Sequence, residues 1–261
     1  MRSKNSREGP DAAERVPGAG TPGEAPSAGL DTAERRPRRG ESAEAAEAAE
    51  ATAALSAAED PRLDRARELE GEGKLGAATA LYREVALEQP SALAPRLALG
   101  TVYERQGEHA LALEQFEAAR EIAPDNVDVL LGMAAALTEL KRYDPAEAVL
   151  RRALRLEPAR AAVHASMGTL SYKRGLYGQA EQELKRALDL DPALGVAYFY
   201  RGESLNQLGR VDEALEMLER AVQLLPRNAR AFFTMGILYD RKHLPQQAAA
   251  MYRRAREVTP A

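Results

Sequence analysis

From about residue 60 onward, apolar residues recur at intervals of three and four in runs of roughly 12–15 residues. That spacing returns to one side of a helix, so each run predicts an amphipathic helix. The runs come in pairs, and proline marks the pairing: Pro90, Pro124, Pro158, Pro192, Pro226 and Pro260 stand 34 residues apart. Aligned on these prolines, other columns line up. Twelve residues earlier stand Ala78, Ala112, Ala146, Ala180, Ala214 and Ala248. Eight residues earlier stand the large apolar Tyr82, Phe116, Leu150, Leu184, Leu218 and Tyr252. Twenty-four residues earlier the column is small: Ala66, Gly100, Ala134, Gly168, Gly202, Gly236. Twenty-one residues earlier it is large except once: Leu69, Tyr103, Leu137, Ser171, Leu205, Tyr239. Gly73, Gly107, Gly175 and Gly209 fall at the midpoint of their units, where a turn is needed.

Each unit therefore reads as two helices broken by glycine or a polar cluster. The proline closes the second helix, because it cannot continue the hydrogen-bond ladder. Small residues in the first helix let the second approach, and large ones fill the space beside the contact. A single helical hairpin cannot bury both its faces, so neighbouring units must stack.

These columns resemble the tetratricopeptide repeat family, whose signature runs Leu-Gly, Tyr, Ala, an aromatic, then Pro over 34 residues. The second unit reads Leu99-Gly100, Tyr103, Ala112, Phe116, Pro124; the sixth reads Phe232, Met235-Gly236, Tyr239, Ala248, Tyr252, Pro260. The resemblance implies an all-α fold, a right-handed superhelical solenoid of antiparallel helix pairs with a concave groove that binds proteins. It places six repeats in residues 57–261, at approximately 59–92, 93–126, 127–160, 161–194, 195–228 and 229–261. Arg62 and Arg65 occupy columns that are usually apolar, as expected of a polar N-terminal cap. In the last unit Arg256 stands where Leu154, Leu188 and Val222 stand earlier, which reads as a self-capped terminal helix; an edge that dimerises is the alternative.

In this family the first helix of each pair lines the groove. One expected lining column is Leu63, Leu97, Leu131, Ala165, Phe199, Phe233; the next is Asp64, Ala98, Gly132, Ser166, Tyr200, Thr234. A third is Arg67, Thr101, Ala135, Thr169, Glu203, Ile237, and a fourth is Glu70, Glu104, Thr138, Tyr172, Asn206, Asp240. The expected groove is small and aliphatic in its first half and aromatic in its second. Its expected partner-binding residues are Tyr172, Phe199, Tyr200, Asn206, Phe233, Ile237, Asp240 and Arg241. Aromatic anchors ringed by polar groups suit a peptide or an amphipathic helix; Phe199 and Phe233 can equally be read as packing residues. The Lys–Asn clamp with which some family members hold a chaperone's C-terminal carboxylate is missing, as is the Asn ladder of the O-linked sugar transferases.

Composition adds limits. The 61–261 segment has 28 basic and 28 acidic residues, so it is neutral and no basic stripe recurs from unit to unit, which argues against nucleic acid. With no Cys there is no thiolate metal site, disulfide or cysteine nucleophile. His109, His164 and His243 fall in different columns, so no pair of metal ligands shares a helix face. GAGTPG lacks the strand and the Lys of a phosphate loop. The expectation is a non-catalytic adaptor without metal or cofactor. A pilotin-like assembly factor or secretion chaperone, and a signalling scaffold for kinases or regulators, are the alternatives.

Residues 1–40 hold five Pro, six Gly and no aromatic residue, too little apolar surface to offset ordering. A disordered tail is expected over 1–56. Residues 41–60 carry six acidic groups and no basic one, and Ala and Glu at 41–56 favour a fraying helix. The start has no apolar core for a secretory signal and no stretch is long enough to span a membrane, so a cytoplasmic monomer or weak homo-oligomer is expected. Arg outnumbers Lys 30 to 6, as in GC-rich bacterial coding sequences.

Overall fold

The computed structural model describes residues 60–259. The tail expected over 1–56, its helical stretch at 41–56, and Pro260 lie outside the described residues. Within them the protein is all helical. The helices are α1 (Pro61–Gly71), α2 (Leu75–Glu88), α3 (Leu93–Gln106), α4 (His109–Ile122), α5 (Val127–Glu139) and α6 (Tyr143–Leu156). They continue as α7 (Ala161–Lys173), α8 (Tyr177–Leu190), α9 (Gly195–Gln207), α10 (Val211–Leu224), α11 (Ala229–Arg241) and α12 (Pro245–Val258). They pair as antiparallel hairpins, α1 with α2 through α11 with α12, and the pairs stack into a right-handed solenoid.

Local chemistry sets the boundaries. Asp60, Asn126 and Asn228 cap α1, α5 and α11 by accepting from the N–H of Arg62, Val129 and Ala231, which satisfies donors that the helix leaves free. Each second helix ends two residues before its proline. Between the helices of every pair one residue takes a left-handed conformation, and the next N–H reaches back to a carbonyl five residues earlier, as in Glu108 to Tyr103 at 2.9 Å. Gly73, Gly107, Gly175 and Gly209 take this position at φ of +78° to +81°. Lys141 and His243 take it at φ 59° and 58°, so the turn is kept in two units whose residue is not glycine.

The small and large columns meet inside each pair. A Cβ on Gly100 would stand 2.5 Å from the Phe116 ring, and one on Gly202 would stand 2.7 Å from Leu218 Cγ. Phe116 also blocks a Cβ on Gly132 of the next unit, so its ring is wedged between glycines of two repeats.

The core is not uniform along the array. One large cluster runs from Leu63 to Leu150 and reaches Leu170, and a small separate one of Val127, Leu130, Ala153 and Val163 joins α5, α6 and α7. Beyond it lie separate clusters around Leu184 and around Leu218, with Tyr198 and Tyr200 packed against both. The break falls in the fourth pair, where Ala165 stands in a column of Leu and Phe and Ser171 in a column of Leu and Tyr. A cavity of about 370 Å³ opens there against Leu150, Met167, Leu170 and Ser171.

The two ends differ. At the start, Arg62 donates to Asp60, Glu84 and Glu88 at 2.7, 2.8 and 2.6 Å, a polar clasp over α1 and α2. Arg62 and its backbone N–H hold the Asp60 carboxyl down at about 2. At the far end, Phe233, Tyr252 and Ala255 frame an apolar cavity of about 680 Å³, with Arg256 on its wall. Arg256 gives that end the charged edge expected of it, beside an apolar face between α11 and α12 that no other described residue covers.

Candidate groove of the first helices

The first helices α5, α7 and α9 put their small residues on one concave surface. Ala134, Ala135, Ser166 and Thr169 floor a groove of about 260 Å³, walled by Thr138, Glu139, Val196 and Tyr200. Short side chains here leave room that reaches down to the packing columns, whose buried Ala134 and Leu150 also line it.

Beside the groove stands a linked set of aromatic and charged groups. Tyr172 and Tyr200 have ring centroids 5.3 Å apart, and Phe199 meets Tyr200 edge-on at 5.0 Å. Glu203 is 4% exposed, and its carboxylate is satisfied by three donors. Tyr172 Oη and Arg230 Nη2 donate to Oε2, each at 3.0 Å, and Thr234 Oγ1 donates to Oε1 at 2.6 Å. The Arg230 guanidinium also lies over the Phe199 ring at 5.4 Å and the Tyr172 ring at 6.0 Å. A buried carboxylate needs such partners, since stranding it is costly. Burial first, and Glu203 second, push the Tyr172 hydroxyl up to about 12, so it stays a donor. The set spans α7, α9 and α11, tying three first helices together.

Further toward the start, burial and the nearby Glu139 push the Glu104 carboxyl up to about 7. Glu139 itself accepts from Lys173 at 2.9 Å. Similar bonds join other neighbouring units: Arg105 to Glu70, Lys242 to Asp212, and Arg241 to Asn206 at 2.8 Å.

Of the expected binding residues, Tyr172, Phe199 and Tyr200 come together. Phe199, however, is 6% exposed and lies beneath Tyr200 as packing. Its column meets the next repeat and does not line the groove. Phe233, in the same column, is 52% exposed and stands 5.5 Å from Tyr252 at the open end, away from Tyr200. Ile237 is exposed on the same helix, Asp240 accepts from Tyr252 Oη at 2.7 Å, and Asn206 and Arg241 form the pair already described. The expected single patch is thus divided between the groove and the end of the array. Glu203, Arg230 and Thr234 were not among the expected residues. Their one visible signal is that Glu203 is a charge in a column of small and uncharged residues over the third to sixth units.

Among the described residues no group of three or more His, Asp or Glu is placed to hold a metal ion, and no helix is long and apolar enough to cross a membrane.

Stacked helix pairs with a concave surface of first helices define a helical-repeat protein. Three models of the tetratricopeptide repeat match the chain, over residues 63–127, 105–170 and 194–261, and the chain belongs to this family. No curated protein sequence matches it. Among solved structures it resembles the APC/C hetero-tetramer Cut9–Hcn1, at 15% identity and a TM-score of 0.71, covering 76% of this chain and 40% of that one. A thermophilic repeat protein of Thermus thermophilus matches at 24% identity and a TM-score of 0.60, covering 67% of this chain and 95% of that one. A repeat protein of Parabacteroides merdae matches at 20% identity and a TM-score of 0.56, with 77% and 80% covered. These likenesses concern the fold.

Proposed function

We propose that the protein is a non-catalytic adaptor that holds an apolar peptide or helix of a partner protein in the groove of its first helices. The supporting observation is the small-residue floor of Ala134, Ala135, Ser166 and Thr169 beside Tyr200. It is a preformed apolar slot with a fixed aromatic wall, of the kind that takes a side-chain row from a partner. Tyr172 and Tyr200 are its anchors. The network around Glu203 holds them in place, so little side-chain freedom is lost on binding. Residues 57–261, read as six repeats, are the binding unit; residues 1–56 are a separate tail, and the protein works in the cytoplasm. No feature of the groove favours an assembly factor or a kinase scaffold over a general adaptor.

The test is capture of partners from native lysate on three baits: the full chain, residues 57–261, and the full chain carrying Ser166→Arg and Thr169→Arg. The two arginines, at half-buried positions, fill the slot, and circular dichroism checks that the helices remain. A partner held by the first two baits and lost by the third supports the reading. A partner that survives the arginines but is lost with the tail would move recognition to residues 1–56 and sink it.

A further inference from the structure

The open face between α11 and α12 repeats a surface that earlier units keep covered. Phe233, Tyr252 and Ala255 stand in the columns of Phe199, Leu218 and Ala221, which are buried in one cluster with Ala231, Phe232 and Met235 of α11. What fits such a face is another first helix. Those of the third to sixth pairs, α5, α7, α9 and α11, are each 13 residues long. The face is basic at its edge. Arg256 lines the cavity and Arg253 stands one turn away on α12; neither has a carboxylate partner among the described residues. A fitting occupant is a helix with small residues toward Phe233 and Tyr252 and acidic residues on its flank.

The chain contains a segment of that chemistry, outside the described residues. Residues 44–56 read EAAEAAEATAALS. Ala45, Ala48, Thr52 and Leu55 recur at spacings of three and four, with Glu44 and Glu47 on one side of that stripe and Glu50 beyond them. Ala and Glu favour the helix, and small residues permit close approach. The segment cannot reach the face of its own chain. Residues 57–60 span at most about 14 Å, one to two helix spacings of about 10 Å each, whereas α1 and α12 are the first and last of twelve stacked helices. The face beside it at the start of the array is polar, closed by Arg62 with Asp60, Glu84 and Glu88.

We infer that residues 44–56 of a second copy dock as a helix on the α11–α12 face, joining copies head to tail. The contact pairs two different surfaces, so it is heterologous, and it builds a closed ring or an open chain according to whether the rotation between copies closes.

Sedimentation of the full chain across a wide concentration range tests this. The expected result is a mass that climbs above the monomer with concentration. Phe233→Glu, at an exposed position, removes the association. Arg253→Glu with Arg256→Glu weakens it at least about tenfold, as does Glu44→Lys with Glu47→Lys and Glu50→Lys. An equimolar mixture of the two charge-reversed chains restores it, because each reversed surface then meets its opposite. Thr169→Arg in the groove leaves it unchanged, which separates this contact from groove binding. A monomer at every concentration overturns the inference. So does association that survives the three lysines, which would mean that two apolar ends meet directly, and so does a mixture that fails to recover.

Discussion

The first three helix pairs and the last three are held by different means. In α1–α6 most of the buried apolar residues form one cluster, with a smaller one around Val127, Leu130 and Ala153, and Phe116 locks two repeats at once by filling the space left by Gly100 and Gly132. In α7–α12 the apolar core is divided, and the gap is spanned by Tyr198, Tyr200 and the bonds that Tyr172, Arg230 and Thr234 make to Glu203. The same 34-residue rule thus tolerates two solutions. Where the columns are filled, close packing suffices; where Ala165 and Ser171 underfill them, a satisfied polar network carries the connection from helix to helix.

The comparison breaks first at Phe116. Phe116→Ala should cost about 3–5 kcal/mol in denaturant unfolding, because neither glycine can move in to refill the space. In the second half the matching lesion is polar. Glu203→Ala should cost about 3 kcal/mol, since it leaves three donors without their acceptor, whereas Glu203→Met with Arg230→Met should cost much less by removing both charges together. Equal losses from the single and double variants would show that the network matters only as packing.

Acidity separates the halves further. The Glu104 carboxyl is raised to about 7 by burial and Glu139. The folded state therefore holds this proton where the unfolded chain has released it, and the group's contribution to stability declines as pH rises from about 4.5 to about 7. Glu104→Gln should match the parent near pH 4 and exceed it by roughly 1–3 kcal/mol at pH 8. Melting curves at the two pH values check this.

Two smaller changes should bring the halves closer. Ser171→Leu restores the large column beside the 370 Å³ cavity and should add about 1 kcal/mol. Lys141→Gly and His243→Gly should each add about 0.5–1 kcal/mol by removing a side chain from a left-handed turn. Both are measured by thermal denaturation against the parent.

Most of the fold was legible because it is periodic. A column repeated six times reveals helix faces, turns and close approaches even where single residues depart from it, and the residue pairs it implies lie a fixed number of positions apart. The groove was less legible. Tyr172 and Tyr200 could be placed by column, but Phe199 could not be told from a lining residue, because groove-facing and neighbour-facing columns are adjacent on one helix. Phe233 shares the column of Phe199 and differs only in having no covering repeat among the described residues, a property of its place in the array. The Glu203 network joins residues 27, 31 and 58 positions apart, and these choices occur in one place only, so no repetition announces them.

The bonds Arg105 to Glu70, Lys173 to Glu139 and Lys242 to Asp212, which join alternate pairs of neighbouring units, all sit at the surface. Ions in solution weaken such bonds while leaving buried contacts almost untouched. The junctions between units then have two components, buried contacts that are indifferent to salt and surface ion pairs that slacken with it. Raising the ionic strength should therefore loosen the α5–α7 junction at Glu139 and Lys173, on the rim of the slot, while leaving the packed contacts behind it unchanged.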